Sequence, residues 1–180
     1  MARDLSEYNQ DWFDRGRPGL FIILWWIIQG TIFRFSFHNM YKFRSIILKA
    51  FGAKLGKNVK IRASAKFHYP WKVDIGDNSW IGDNVNLYSL DNIKVGKNTV
   101  ISQNTYINTG SHDINDPYFG LITKPVIIEN EVWICANCFV NLGVSIGVGV
   151  TIGAMSNVTK DIPDYIFCVG NPCKKYGKHT

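Results

Sequence analysis

An aliphatic residue or phenylalanine recurs at intervals of six along most of the chain after Lys54. An α-helix repeats about every 3.6 residues and a strand about every two, so neither explains a period of six. One short strand and one sharp corner fit six residues, and three such units close a triangular coil. The pattern therefore predicts stacked coils in which the recurring side chain points inward. The predicted inward positions are Leu55, Ile61, Phe67, Ile75, Ile81, Leu87, Val95, Ile101, Ile107, Ile128, Ile134, Val140, Ile146, Ile152 and Val158.

Two other residue types keep a fixed distance from these inward positions. Glycine and asparagine tolerate the left-handed backbone that a sharp corner needs, so we expect corners where they recur. Glycine follows directly at Gly56, Gly76, Gly82, Gly96, Gly147 and Gly153. Asparagine stands three places on at Asn58, Asn78, Asn84, Asn98, Asn104 and Asn137. The position four places on must also point inward and be small, as at Ala65, Ser79, Thr99, Thr105, Cys138 and Ser156.

The spacing of successive coils shows where the pattern is interrupted. One coil is eighteen residues long from Ile128 to Ile146, and two earlier coils carry two extra residues each. The step from Val95 to Ile128 is thirty-three residues, which is fifteen more than one coil. We therefore expect residues 111–125 to leave the coil as a loop, and such an insertion in a solenoid is usually functional. This loop contains His112.

These features divide the chain into three parts. Residues 55–160 are predicted to form an all-β domain, a parallel β-helix, for which hexapeptide repeats are the signature. Residues 1–54 are predicted to form a helical segment that covers one open end of the solenoid, where unpaired strand edges invite pairing. Residues 161–180 are predicted to cover or extend the other end.

The N-terminal segment begins with a strongly apolar run. The run Leu20–Ile28 is followed by Gln29 and then by Arg34, whereas a spanning helix needs about 20 apolar residues. We therefore expect two helices, near 18–36 and 38–50, that do not cross a membrane. They either pack on the protein, including another subunit, or rest in a membrane interface.

The net charge of the chain is concentrated in its first third. Residues 1–60 hold ten Lys and Arg against four Asp and Glu, whereas residues 61–180 hold ten against ten. The whole excess of +6 therefore lies near the N-terminus. This asymmetry indicates a local acidic partner, such as a membrane surface contacted through residues 18–50, rather than nucleic acid.

The four cysteines are predicted to be free thiols, since no apolar leader precedes them and a reducing cytoplasm is the simplest location. We therefore expect a cytoplasmic location, with or without peripheral contact at the inner face of the membrane. Cys135 and Cys138 form a C-x-x-C pair inside the periodic region, where a buried cysteine is usually a small apolar residue. The second pair that a zinc site of this kind needs is absent.

Four segments, "TGSHD", "EVWICAN", "IGAMSNVTKDIP" and "VGNPCKK", resemble in their order the sugar and xenobiotic O-acetyltransferases of the hexapeptide superfamily. The apolar "LWW", the "YPWK" and the "ISQ" before the histidine resemble in particular the colanic-acid-biosynthesis acetyltransferase family. The resemblance covers almost the whole chain and implies a left-handed β-helix. It also implies a homotrimer in which acetyl-CoA and a sugar acceptor meet between adjacent subunits.

Acetylation of a hydroxyl chiefly requires a base. Imidazole can take the hydroxyl proton near neutral pH, which typically contributes about 10²–10⁴-fold. From residue type alone His112 is either that base or a solvated loop residue, and the resemblance implies that it is the base. The resemblance also implies that Asn84 contacts the acceptor, unless it is an ordinary corner residue. Asp113 would bind the acceptor or orient the loop, with loop capping as the alternative.

The resemblance places five further residues near the CoA molecule. They are Trp133, Ala154, Thr159, Lys160 and Lys174. Trp133 would line the CoA channel, or serve as an outward aromatic in a subunit interface. The two lysines suit the CoA phosphates, where a cation is physically apt, but they could equally be solvated charges.

The predicted reaction is transfer of acetyl from acetyl-CoA to a sugar hydroxyl of an exopolysaccharide or lipid-linked glycan. An antibiotic, a xenobiotic or a small sugar would be acetylated by the same chemistry, and a non-catalytic scaffold would need no base. A γ-type carbonic anhydrase shares the β-helix but needs three histidines for zinc. Only His68 and His112 lie in the periodic region, so no metal is expected.

Overall fold

The computed structural model describes residues 5–178 and places helices before the periodic region. The helical elements are a 3₁₀ turn at Leu5–Glu7, α1 at Gly19–Ile28, a π-helical turn at Gln29–Phe33, α2 at Tyr41–Ala50 and a 3₁₀ turn at Pro70–Lys72. The two main helices lie inside the ranges predicted from the sequence. The π-helical turn at the end of α1 was not predicted, because the apolar pattern does not distinguish it from an α-helix.

Nineteen short strands lie in the described part of the chain. In order they are β1 Lys54–Leu55, β2 Lys60–Ile61, β3 Lys66–Phe67, β4 Val73–Ile75, β5 Trp80–Ile81, β6 Asn86–Tyr88, β7 Ile93–Val95, β8 Val100–Ile101, β9 Tyr106–Asn108, β10 Gly110–His112, β11 Leu121–Thr123, β12 Val126–Ile128, β13 Trp133–Ile134, β14 Phe139–Val140, β15 Ser145–Ile146, β16 Thr151–Ile152, β17 Asn157–Val158, β18 Ile166–Val169 and β19 Lys174–Lys178.

Three sheets form the sides of a prism. Sheet A contains β1, β4, β7, β12 and β15, and sheet C contains β3, β6, β9, β14 and β17. Sheet B contains β2, β5, β8, β13, β16, β18 and β19. The chain visits sheets A, B and C in turn and pairs in parallel with the previous coil. The predicted parallel β-helix is therefore confirmed.

The strand register follows the coil spacing read from the sequence. Leu55 pairs with Ile75, which pairs with Val95. Val95 pairs with Ile128, and Ile128 pairs with Ile146. The thirty-three-residue step therefore returns to the same side of the prism, and the fifteen surplus residues leave it.

The core consists of the residues that the period predicted to point inward. All fifteen predicted inward side chains are buried, and so are the six small residues four places on. Valine also fills this second position in several coils, for example at Val85 and Val132. The six corner asparagines all have positive φ, between 53° and 60°. The corners therefore adopt the left-handed conformation for which asparagine is suited.

The N-terminal helices close the first coil with side-chain hydrogen bonds. The indole Nε1 of Trp25 donates to the carbonyl of Phe67 at 2.8 Å, and the backbone N–H of Phe67 donates to Oε1 of Gln29 at 2.6 Å. Nε of Arg44, a fully buried side chain, donates to the carbonyl of Ile61 at 2.6 Å. These bonds satisfy backbone groups that an open solenoid end would leave unpaired.

The C-terminal residues extend the opposite end. Strand β18 adds to sheet B in parallel with β16, and β19 then folds back on it antiparallel. A bridge between Ile146 and Ile162 begins a further coil on sheet A. The last part of the described chain therefore continues the solenoid before a hairpin ends it.

Candidate active site

The interruption of the repeat is a β-hairpin that leaves the prism where sheet C turns into sheet A, the C–A corner. Strands β10 and β11 pair antiparallel, with His112 opposite Leu121. The carboxylate of Asp116 closes the loop, because its oxygens accept the backbone N–H groups of Tyr118 at 2.9 Å and Gly120 at 2.8 Å. The hairpin therefore projects from the prism as a locally bonded unit with His112 at the end of its first strand.

The imidazole of His112 is held by two contacts with one residue. Its Nδ1 lies 2.7 Å from the carbonyl oxygen of Phe119. A carbonyl can only accept, so Nδ1 carries the proton in the neutral ring and Nε2 is the basic nitrogen. The ring also stacks on the phenyl ring of Phe119, with centroids 3.8 Å apart and planes 10° apart. This arrangement fixes both the tautomer and the plane of the imidazole.

The backbone at Phe119 adopts an unusual conformation that makes these contacts available. Its φ is 58°, in the left-handed region that non-glycine residues rarely occupy. Its N–H donates to the carbonyl of Asp116 at 3.1 Å, which holds the turn. Such local strain is found where the surrounding structure enforces it, often at functional sites.

His112 lines a cavity of about 230 Å³ beside the prism. The cavity lies where the N-terminal segment crosses the C–A corner. The other side chains around it are mostly aromatic: Tyr8, Gln10, Phe13, Arg15, Trp26, His68, Tyr69, Tyr88, Leu90 and Leu121. The ring of Tyr8 lies 5.8 Å from that of His112, between centroids. Aromatic side chains together with a few convergent polar groups are a usual lining of a small-molecule site.

His68 is a second histidine of this cavity that the sequence analysis did not assign to the site. Burial lowers its pKa below the ordinary value, and the positive charges of Arg15 and Lys72 add to the effect. Burial likewise raises the pKa of Tyr88, whose ring lies 4.9 Å from that of His68. Both side chains are therefore held in their neutral forms near pH 7.

Coil spacing could have located part of this cavity. His68, Tyr88 and Asn108 are twenty residues apart, so they occupy equivalent places on successive coils just before the hairpin. Tyr8 and Arg15 had no comparable signal, because the N-terminal segment has no period that predicts where it crosses the prism.

The two residues predicted to contact the acceptor have structural roles in this chain. Asn84 is a corner residue with φ 55°, and its Nδ2 donates to Oδ1 of Asn104 at 3.2 Å. Oδ1 of Asp113 accepts the backbone N–H of Asn115 at 2.8 Å, which caps the loop. Both side chains also reach the surface, Asp113 directly beside His112.

Three of the five residues predicted to bind CoA lie on or beside sheet B. Trp133 projects from sheet B, half exposed, and its Nε1 donates to Oγ of Ser102 at 3.1 Å. Ala154 follows β16 of the same sheet, and Lys174 begins β19 at its edge. The C–A corner is opposite sheet B in a triangular prism, so one chain does not bring these residues to His112.

Viewed along the axis of the prism, Thr159 and Lys160 lie closer to the hairpin. They follow β17 at the C–A corner, two coils beyond the one from which His112 projects. Two coils correspond to about 10 Å along the prism. Both residues lie outside the cavity of His112.

Comparison with known proteins places the fold in a family of enzymes. The family model described as the hexapeptide repeat of succinyl-transferase matches residues 72–109 and 125–160. A relative from Escherichia coli (strain K12), WcaF, is named as a colanic acid biosynthesis acetyltransferase. It is 44% identical over 170 residues, which are 94% of this chain and 93% of that protein. This chain belongs to the hexapeptide-repeat acetyltransferases.

Solved structures of other acetyltransferases share the architecture. A maltose O-acetyltransferase from Clostridium difficile 630 superposes with a TM-score of 0.82 at 27% identity, covering 91% of this chain and 90% of that one. A galactoside acetyltransferase solved in complex with coenzyme A gives a TM-score of 0.83 at 26% identity, covering 93% and 86%. The predicted enzyme class, an acetyltransferase, is confirmed.

Burial disfavours the thiolate form of two of the four cysteines of this acetyltransferase. All four cysteines are free. Burial raises the pKa of Cys135 and of Cys138, so both remain thiols near pH 7. Within residues 5–178, no three His, Cys, Asp or Glu side chains lie close enough together to hold a metal ion.

Proposed function

We propose that this acetyltransferase moves an acetyl group from acetyl-CoA to a hydroxyl of a sugar in an exopolysaccharide or lipid-linked glycan, with His112 as general base. The observation that carries the proposal is the hydrogen bond from Nδ1 of His112 to the carbonyl of Phe119. It makes Nε2 the proton acceptor, which is the state a general base needs. The CoA bound to the related galactoside enzyme supports the choice of donor.

The reaction needs no covalent enzyme intermediate. Nε2 of His112 takes the proton of the sugar hydroxyl while the hydroxyl oxygen attacks the thioester carbonyl carbon. The carbon–sulfur bond then breaks, and the imidazolium returns the proton to the departing thiolate. The products are the acetyl ester and free CoA. The Phe119 carbonyl stabilises the transient imidazolium, because it keeps accepting from the protonated Nδ1.

The acceptor site in this proposal is the cavity beside His112. Tyr8, Tyr69 and Tyr88 offer ring faces and hydroxyl groups, a combination suited to the apolar and hydroxyl faces of a sugar. The volume of about 230 Å³ is below that of a drug-sized pocket, so we expect it to hold a single sugar residue while the rest of the acceptor extends outward. Asp113, beside the base, would bind a further hydroxyl.

The donor site would be completed by a second subunit. Trp133, Ala154 and Lys174 lie on or beside sheet B, opposite the corner that carries His112. A neighbouring copy can bring its own sheet B to the His112 corner, whereas the same chain cannot. We therefore propose a homotrimer with three equivalent interface sites, to which Asn84, Thr159 and Lys160 also contribute. Four free thiols agree with a reducing cytoplasmic location.

A second acceptor class is favoured by the relatives. Two similar structures act, by their names, on maltose and on a galactoside, so a free small sugar is the alternative acceptor. The base and the donor would be unchanged.

A panel of acceptors tests the function directly. Purified enzyme and acetyl-CoA are mixed with free sugars, nucleotide sugars or lipid-linked oligosaccharides, and free CoA thiol and a product mass gain of one acetyl group are measured. We expect thiol release and the mass gain together, with the highest kcat/KM for the lipid-linked class. Thiol release without any acetylated sugar, or transfer only to amines, would refute the proposal.

A further inference from the structure

Helix α1 has one apolar face that residues 5–178 leave uncovered. Its residues are apolar on both faces, and Ile22 and Trp25 are buried against the rest of the protein. The opposite face, which we name the apolar stripe, consists of Leu20, Ile23, Leu24 and Ile27. Leu20 is 83% exposed, and the other three are about half exposed.

The stripe is continuous because of its spacing. Its residues stand at i, i+3, i+4 and i+7, which lie on one side of an α-helix. Phe35 and Phe37, both about four-fifths exposed, follow beyond the π-helical turn. A grouped apolar surface of this kind marks an interaction site, unlike single exposed apolar residues.

The charges around the stripe indicate the chemistry of its partner. No Asp or Glu occurs from Arg15 to Val73, whereas twelve Lys and Arg occur there. Within residues 5–178, one ion pair involves this stretch, between Arg62 and Asp83. Arg17 and Arg34 stand at either end of the helical segment that carries the stripe. A partner that covers this surface must therefore supply negative charge.

A second copy of this chain fits these charges poorly. A twofold contact between two stripes would bring two sets of basic flanks together. No acidic residue between Arg15 and Val73 would offset these charges. An anionic bilayer offers both an apolar interior for the stripe and phosphates for the arginines. A membrane-spanning helix is not available, since none in the described chain has the length and apolar character to cross a bilayer.

We propose that α1 lies flat on an anionic lipid surface, with the apolar stripe inserted below the headgroups and Arg17 and Arg34 at the phosphates. Trp26 of α1 also lines the cavity that contains His112. Docking through α1 would therefore hold that cavity near the membrane, on the side of the helix that faces the prism. This last consequence, access to a lipid-linked acceptor, rests on the proposed function; the docking itself does not.

Vesicle co-sedimentation of the full chain tests the docking. Vesicles of phosphatidylglycerol and phosphatidylcholine are compared with vesicles of phosphatidylcholine alone, at low and at high salt. We expect the wild type to sediment with the anionic vesicles, and the combined variant Leu20→Gln, Ile23→Gln, Ile27→Gln to lose at least about tenfold in partition coefficient. Arg17→Gln and Arg34→Gln should each lower the partition coefficient on anionic vesicles about fivefold, and only at low salt.

Matched controls separate lipid binding from misfolding and self-association. Tyr176→Gln removes a side chain with 78% exposure from the opposite end and should leave sedimentation unchanged. Circular dichroism and molar mass from light scattering are recorded for every variant. A folded stripe variant that sediments like the wild type would overturn the proposal. The proposal would also be overturned if the wild type did not sediment with anionic vesicles and the stripe variant changed oligomeric mass. The stripe would then contact another copy.

Discussion

The coils of the prism and the hairpin that interrupts them are built by different rules. In the coils, each predicted inward side chain is buried, and the asparagine corners repeat the left-handed conformation from one coil to the next. In the hairpin, Ile114 and Tyr118 are exposed, and Asp116 holds the loop through local bonds. The difference indicates that the coils provide the stability of the fold, whereas the hairpin carries the proposed base.

Two isoleucines test this division most strongly. Ile101→Ala removes a fully buried side chain at the middle of sheet B and should lower the free energy of unfolding by about 2–5 kcal/mol. Ile114→Ala makes the same change at a side chain that is 78% exposed, and should cost less than about 0.5 kcal/mol. Urea denaturation measures both. Similar costs for the two variants would remove the distinction between the regions.

Phe119 tests whether the hairpin positions the base. Phe119→Ala keeps the carbonyl that accepts from His112 but loses the stacked ring, so we expect kcat to fall about tenfold while KM for acetyl-CoA is unchanged. Thiol release at saturating acceptor measures the effect. Tyr118→Ala, at the exposed neighbouring position, serves as the control. A loss confined to KM, or equal losses for both variants, would contradict the positioning role.

The sequence predicted the parts of the fold that repeat. A period of six is enough to find the inward positions and the asparagine corners, because each depends only on its distance from the last inward residue. It also predicted that His112 lies where the chain leaves the coil, because the hairpin breaks the period. The period could not predict the hydrogen bonds by which Trp25 and Arg44 cap the first coil. These bonds join residues 42 and 17 positions apart and have no local sequence signature.

The residues predicted to bind the donor and the acceptor show a second limit of prediction from the sequence. Periodicity predicted that Asn84 lies on a corner. Its predicted contact with the acceptor rests instead on the resemblance to a known family. The position of Trp133 on sheet B is likewise readable from the spacing. Whether a second copy brings its sheet B to His112 depends on how chains assemble, and the spacing within one chain carries no information on that.

A corner asparagine tests the repeat on a smaller scale. Asn98 has φ 53° and accepts from Nδ2 of Asn78 at 3.1 Å. Asn98→Ala places an ordinary Cβ in the left-handed region and should cost about 1 kcal/mol in unfolding free energy. Asn98→Gly relieves that strain and should cost less than Asn98→Ala. The opposite order of the two variants would show that the corner does not depend on left-handed backbone.

The buried histidine of the cavity predicts how stability changes with pH. Because burial lowers the pKa of His68 in the folded chain, the unfolded chain binds a proton more readily. Stability should therefore fall as pH drops through the ordinary histidine pKa of about 6.5, and should continue to fall until the folded pKa is reached. His68→Gln should flatten this part of the profile relative to the wild type, with no difference in slope above about pH 7.5. Parallel profiles throughout would contradict the assignment.

Turnover of His112→Ala tests the role of the hairpin most directly. The side chain is part of a surface hairpin, so its loss should change the free energy of unfolding by less than about 1 kcal/mol. We expect the rate of acetyl-CoA thiol release in the presence of acceptor to fall by at least about a hundredfold, while CoA binding by calorimetry is retained. A folded variant that binds CoA and turns over within a few-fold of the wild type would show that the base lies elsewhere.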